Sequence, residues 1–220
     1  MKLAEREAIA RHDWDSLSRL YMPLQEARRQ RRLRCGEGVV CLDLLATGPD
    51  DSLQGQQVIE NYPHAQLLVA GWANIEPALE VRRLQPRHEL YVEAFLGAVY
   101  PLAGGKTVVT IVPDGREVLP DARPRSADAL RDLLPKGSLV IPVEELPVGA
   151  SRGNVESFGR MEAIWEQLHR PYLAAADAID TPLRRIEAYR HVIEIDYACE
   201  LAHQNLAGAA RELARHAVTV

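Results

Sequence analysis

Cysteine is scarce in this chain and odd in number. Cys35, Cys41 and Cys199 lie far apart, which rules out a disulfide framework or a CxxC metal pair and fits a reducing compartment. Long uncharged runs are lacking too. No stretch approaches the roughly 18 apolar residues of a membrane helix, and Met1-Lys2-Leu3-Ala4-Glu5-Arg6-Glu7 carries too much charge to open a signal peptide. The expected address is the cytoplasm, without a membrane partner. An excess of basic residues is missing as well: 26 Lys and Arg against 31 Asp and Glu give a net charge of −5, so the overall field repels nucleic acid. No internal repeat or low-complexity tract occurs. G-x-S-x-G, H-E-x-x-H and the phosphate-binding lysine motif are all absent, and no motif identifies a cofactor.

What is present is an ordinary globular composition, 220 residues with 47% hydrophobic and 26% charged side chains, enough for one sizeable core. Residues 3–34 read as helical, with Asp13 as an N-cap before Trp14 and Leu17, Leu20, Tyr21 and Leu24 on one face. Pro23 should kink or divide this segment. Five arginines, Arg28, Arg29, Arg31, Arg32 and Arg34, crowd its end; they read as a solvated helix terminus or as partners in internal ion pairs.

From Val39 the pattern turns to strand. Apolar runs at 39–46, 66–70, 107–112 and 138–143 are bounded by turn residues and separated by helical stretches at 52–62, 74–84 and after Ser126. The run at 88–100 is apolar nearly all round; its length predicts a buried helix. Residues 120–124 read as a linker. Beyond Asn154 the chain reads as helices over about 155–170, 171–179 and 183–216. The expected fold is α/β: a mostly parallel sheet of about four strands flanked by helices, divided as a helical segment 1–36, a core 37–150 and C-terminal helices 151–220.

A parallel sheet directs attention to the loops beyond the carboxyl ends of its strands. Those loops hold Asp50, Asp51 and Asp114, candidates for carboxylate acid/base catalysis, and Gly48, Asn74 and Arg116 as ligand-binding candidates. Gly149, Ser151, Arg152 and Asn154 precede a helix and offer amides, polar side chains and a cation to an anion. The same residue types also serve as ordinary turns and caps.

Asp43 and Glu93 interrupt apolar runs and must be paired, hydrogen-bonded or neutral; a backbone amide or one of the arginines of 28–34 is the expected partner. The spacings Glu166-x-x-His169 and Glu200-x-x-His203 suggest metal ligands, but each glutamate points away from its helix's apolar face, so no metal site is expected. Asp196, Cys199 and His203 would share one flank of a continuous helix, where they read as a buried thiol beside a satisfied histidine. Ala198, Ala202, Ala209 and Ala210 suit close helix packing in a core or a homo-oligomer. The expected function is binding of a small phosphate- or carboxylate-bearing metabolite, with or without catalysis. The alternative is a non-catalytic assembly or adaptor protein working through its terminal helices.

Overall fold

In the computed structural model, which describes residues 2–116, 120 and 124–218, the helical start comprises α1 (Lys2–Ala10) and α2 (Trp14–Glu37). There follow β1 (Val39–Leu45), α3 (Gly55–Asn61), β2 (His64–Trp72), α4 (Glu76–Leu84), β3 (Tyr91–Pro101), β4 (Thr107–Val112), α5 (Ala127–Arg131), β5 (Leu139–Pro142) and β6 (Ser151–Arg152). The chain ends in α6 (Val155–Asp177), α7 (Pro182–Ile195) and α8 (Glu200–Val218). Residues 121–123 of the expected linker lie outside the described residues. The chain forms two compact units, one of residues 32–168 and one from the two chain ends, 1–31 with 169–220.

The 32–168 unit is a mixed α/β layer. Its six strands lie in the order β5-β4-β3-β2-β1-β6. β1, β2 and β3 are mutually parallel, because α3 and α4 supply the crossovers that parallel neighbours require. The remaining pairings, β3 with β4, β4 with β5 and β1 with β6, are antiparallel. The sheet is therefore larger than the four strands expected and only partly parallel.

Most of the helix expected over 88–100 is instead β3, one of the two central strands. It is hydrogen-bonded on both edges and buried from Val92 through Tyr100, and a strand covered on both faces loses the alternation that would reveal it. Gly97 shows the fit: a Cβ there would come within 2.8 Å of the Ala70 Cβ across the sheet. Gly104 and Gly105, with φ of +88° and +80°, form the hairpin turn that reverses the chain into β4.

Leu67, Val69, Ala94 and Leu96 pack on Val58, Ile59, Ala78 and Val81 from α3 and α4. The opposite face carries Gln66, Glu93 and Phe95, the last 4.5 Å from Trp165 between ring centroids. Glu93 finds the partner its setting demands. Arg32 donates from Nε (2.9 Å) and Nη2 (2.8 Å) to Glu93 Oε1 and from Nη1 to Glu162 (3.2 Å), Gln66 donates to Oε2 (2.8 Å), and the guanidinium lies 5.0 Å from the Trp165 ring.

In the unit built from the chain ends, Leu17, Tyr21 and Leu24 pack with Ile186, Val192, Ala202 and Leu206. Asp13 caps α2 as expected, accepting from Ser16 N–H at 3.0 Å. α2 continues through Pro23 instead of dividing there, and α6 continues through Pro171. The long final helix is divided at 196–199 into α7 and α8, a break that shapes the site below.

Side-chain exposures of 4% and 3% make Arg32 and Glu93 a buried pair, so removing one partner strands the other's charge. Arg32→Met is expected to cost about 3–5 kcal/mol in urea unfolding, and Arg32→Met combined with Glu93→Leu to recover most of it.

Candidate functional site

The sequence-predicted residues do not converge on one crevice. Gly48, Asp50 and Asp51 follow the carboxyl end of β1, where Asp51 accepts from Thr47 N–H (2.8 Å) and hydroxyl (3.1 Å) and closes its own turn. Asn74 follows β2 and bonds to the backbone of Trp72 and Glu76. Asp114 and Arg116 pair with each other at 2.7 Å, but β4 runs against β3, so the chain leaves it toward the amino ends of β2 and β3. β6 places Ser151 and Arg152 opposite Val40 and Val39, at the amino end of β1.

A subset does come together. Gly149, Ser151 and Asn154 line a notch of about 140 Å³ with Arg160 and Glu156. Much of its polar capacity is already engaged. Gly149 N–H donates to Asp43 (2.6 Å), the backbone partner expected for that carboxylate, and Asn154 and Ser157 cap each other at the start of α6, each accepting from the other's N–H at 2.9 Å.

A denser polar centre occupies the unit of the chain ends, where the break between α7 and α8 sets it up. Asp196 ends α7 with an extended backbone; its Oδ1 accepts from Ala198 N–H (3.0 Å) and its Oδ2 from His169 Nδ1 (2.8 Å). Cys199 immediately precedes α8, and its Sγ stands 3.6 Å from His169 Nε2. A Cys, His and Asp thus meet on three separate supports, α6, the end of α7 and the start of α8, with ligand atoms mutually within 4.8 Å. Burial alone would lower the His169 pKa, but the hydrogen bonds to Asp196 and Cys199 outweigh it and push the group up to about 9.

His203, taken in the sequence for the thiol's neighbour, turns elsewhere. Its Nδ1 donates to the Cys199 carbonyl (2.7 Å) and its Nε2 accepts from Arg28 Nη1 (2.9 Å). Burial pushes its pKa down to about 4, despite the carbonyl bond and with help from the Arg28 charge, so the ring is neutral at physiological pH. The sequence reading missed His169 because the pairing spans 30 residues. The available signal was the implausible length of an uncapped helix over 183–216 containing an Asp.

Beside this centre lies a cavity of about 410 Å³ lined by Arg6, Arg28, Arg31 and Arg190, with Glu5, Ile193, Glu194 and Tyr197. Glu5 is occupied: it accepts from the Tyr21 hydroxyl and lies 3.8 Å from Arg190. Arg31 sits over the Tyr197 ring at 5.6 Å. Burial pulls the Arg28 pKa below its ordinary value, with Glu5 opposing the change, and its hydrogen-bond partner is the uncharged His203. Among the described residues neither Arg28 nor Arg31 forms a salt bridge.

No family model, curated protein or solved structure matches this chain.

The His169 and Asp196 pair sets a pH dependence. A folded pKa near 9 against an ordinary 6.5 means the pair's stabilisation is complete below pH 6.5 and is lost as pH rises toward 9. In Asp196→Asn, NMR titration of the His169 ring is expected to show a pKa lower by more than about one unit, and the loss of stability between pH 6.5 and 9 should flatten.

Proposed function

We propose that the chain binds a small anionic metabolite bearing phosphate or carboxylate groups, and that the arginine-lined cavity of the chain-end unit receives it. The observation that carries this reading is Arg28: a partly buried guanidinium held by a neutral imidazole, opening beside Arg31, Arg6 and Arg190. A cation partly removed from water and lacking a direct ion-pair partner favours any anion that can supply one, and Glu5 offsets that demand only from a distance. Four guanidinium groups against two carboxylates leave the lining with a positive balance, within a chain whose net charge is −5. The volume of about 410 Å³ falls in the range of small-molecule sites.

The notch at Gly149, Ser151 and Asn154 is the weaker anion site, because Asp43 and Glu156 bring negative charge to it. Acid/base catalysis by Asp50, Asp51 and Asp114 has no part in this reading, since Asp51 closes its own turn and Asp114 pairs with Arg116. Three cysteines without disulfides support a reducing, cytoplasmic setting.

Calorimetric titration and thermal shift with pyrophosphate, citrate and a hexose phosphate test the proposal. At least one of these anions is expected to stabilise the wild-type chain. Arg28→Gln or Arg31→Gln should weaken its binding tenfold or more, about 1.4 kcal/mol, while Arg160→Gln leaves it unchanged. No stabilisation by any of the three, or weakening by Arg160→Gln alone, overturns the assignment.

A further inference from the structure

The three buried cysteines are not chemically equivalent. Cys41 Sγ donates to Asp43 Oδ1 at 3.1 Å; burial and that carboxylate push its thiol up to about 11 and so keep it unreactive. Cys199 Sγ instead faces the imidazole of His169, whose other nitrogen is fixed by Asp196. This is the order of groups that activates a cysteine nucleophile: sulfur, ring, orienting carboxylate. Cys199 also immediately precedes the 19-residue α8. His203 N–H is the one that closes on the Cys199 carbonyl, so the amides of residues 200–202 begin the helix without acceptors inside it.

The break between α7 and α8 lets these groups be aimed separately. His169 comes from α6, Asp196 from the end of α7, and Cys199 from the start of α8. Cys199 and Asp196 are 5% and 2% exposed. The His169 side chain is 12% exposed.

We propose that Cys199, as a thiolate paired with the His169 imidazolium, is a covalent nucleophile toward activated acyl groups, esters or thioesters, and that Asp196 positions the ring. Sulfur attacks the carbonyl carbon and an S–C bond forms. The bond from that carbon to the leaving oxygen or sulfur breaks, and the leaving group takes the Nε2 proton of His169. The neutral ring then removes a proton from water, whose oxygen attacks the thioester carbon. The S–C bond breaks, releasing the acid and restoring thiolate and imidazolium. The net change is hydrolysis of one ester or thioester by one water. This proposal stands apart from the anion cavity and needs no charge on the substrate.

p-Nitrophenyl acetate, an uncharged probe, tests it on the full chain. The expected result is a burst of p-nitrophenolate near one equivalent, with peptide mass mapping placing the acetyl group on Cys199. Cys199→Ser should abolish the burst, and His169→Gln should slow it by roughly 10²-fold. Asp196→Asn should shift the pH profile of the acetylation rate to lower pH. Iodoacetamide on the unmodified sequence provides a measure independent of any variant's folding: alkylation of Cys199 is expected to exceed that of Cys41 by at least tenfold. Acetylation of no cysteine, equal labelling of Cys199 and Cys41, or an unchanged burst in a folded His169→Gln chain overturns the proposal. Stoichiometric zinc retained by the purified chain with a silent Cys199 also overturns it, in favour of a metal centre.

Discussion

A carboxylate in the middle of a sheet is the constraint around which the 32–168 unit is arranged. Glu93 lies in a central strand, 5% exposed, where an unpaired charge would cost several kcal/mol. The fold answers by bringing Arg32 across the sheet face, adding the Gln66 amide from the neighbouring strand and stacking Trp165 near the guanidinium. Each of these groups has one geometry that satisfies the carboxylate, so the ion pair fixes side chains that apolar packing alone would leave interchangeable. Bidentate arginine suits this role better than lysine, because its planar fork offers two N–H groups to one carboxylate oxygen and a flat surface to an indole.

The chain-end unit follows the same logic with a different outcome. Asp196 meets a backbone amide with one oxygen and an imidazole with the other; by ending one helix it allows the next to start at Cys199. Two histidines close together are pushed in opposite directions, His169 up to about 9 and His203 down to about 4. One faces a carboxylate and a sulfur. The other faces a carbonyl and an arginine, and burial dominates. The partner each ring meets thus decides which way burial and hydrogen bonding move it.

Much of the local structure was legible in the residues. The strands at 107–112 and 39–45, the Asp13 and Ser126 caps and the helices flanking the sheet follow from periodicity and punctuation. So did the need of Asp43 and Glu93 for partners, which proved to be the Gly149 amide and Arg32. β3 was misread as helix because a strand buried on both faces carries no alternation, and the direction of β4 hinged on Gly104 and Gly105, which punctuate a hairpin as readily as a helix end. That reversal disperses the loops once expected to face one crevice. The Cys199 centre was hidden for another reason: His169 approaches from a distant helix, and an apolar stripe continuing past Asp196 masks the interruption there.

The outer strands carry a further consequence. β6 has two residues and β5 has four, the last of them Pro142. Pro142 removes a donor from the β5 edge, whereas β6 pairs with β1 only at Val39 and Val40. Lateral addition of a further strand is thereby discouraged at the short β5 edge, while most of β1 lies beyond the reach of β6.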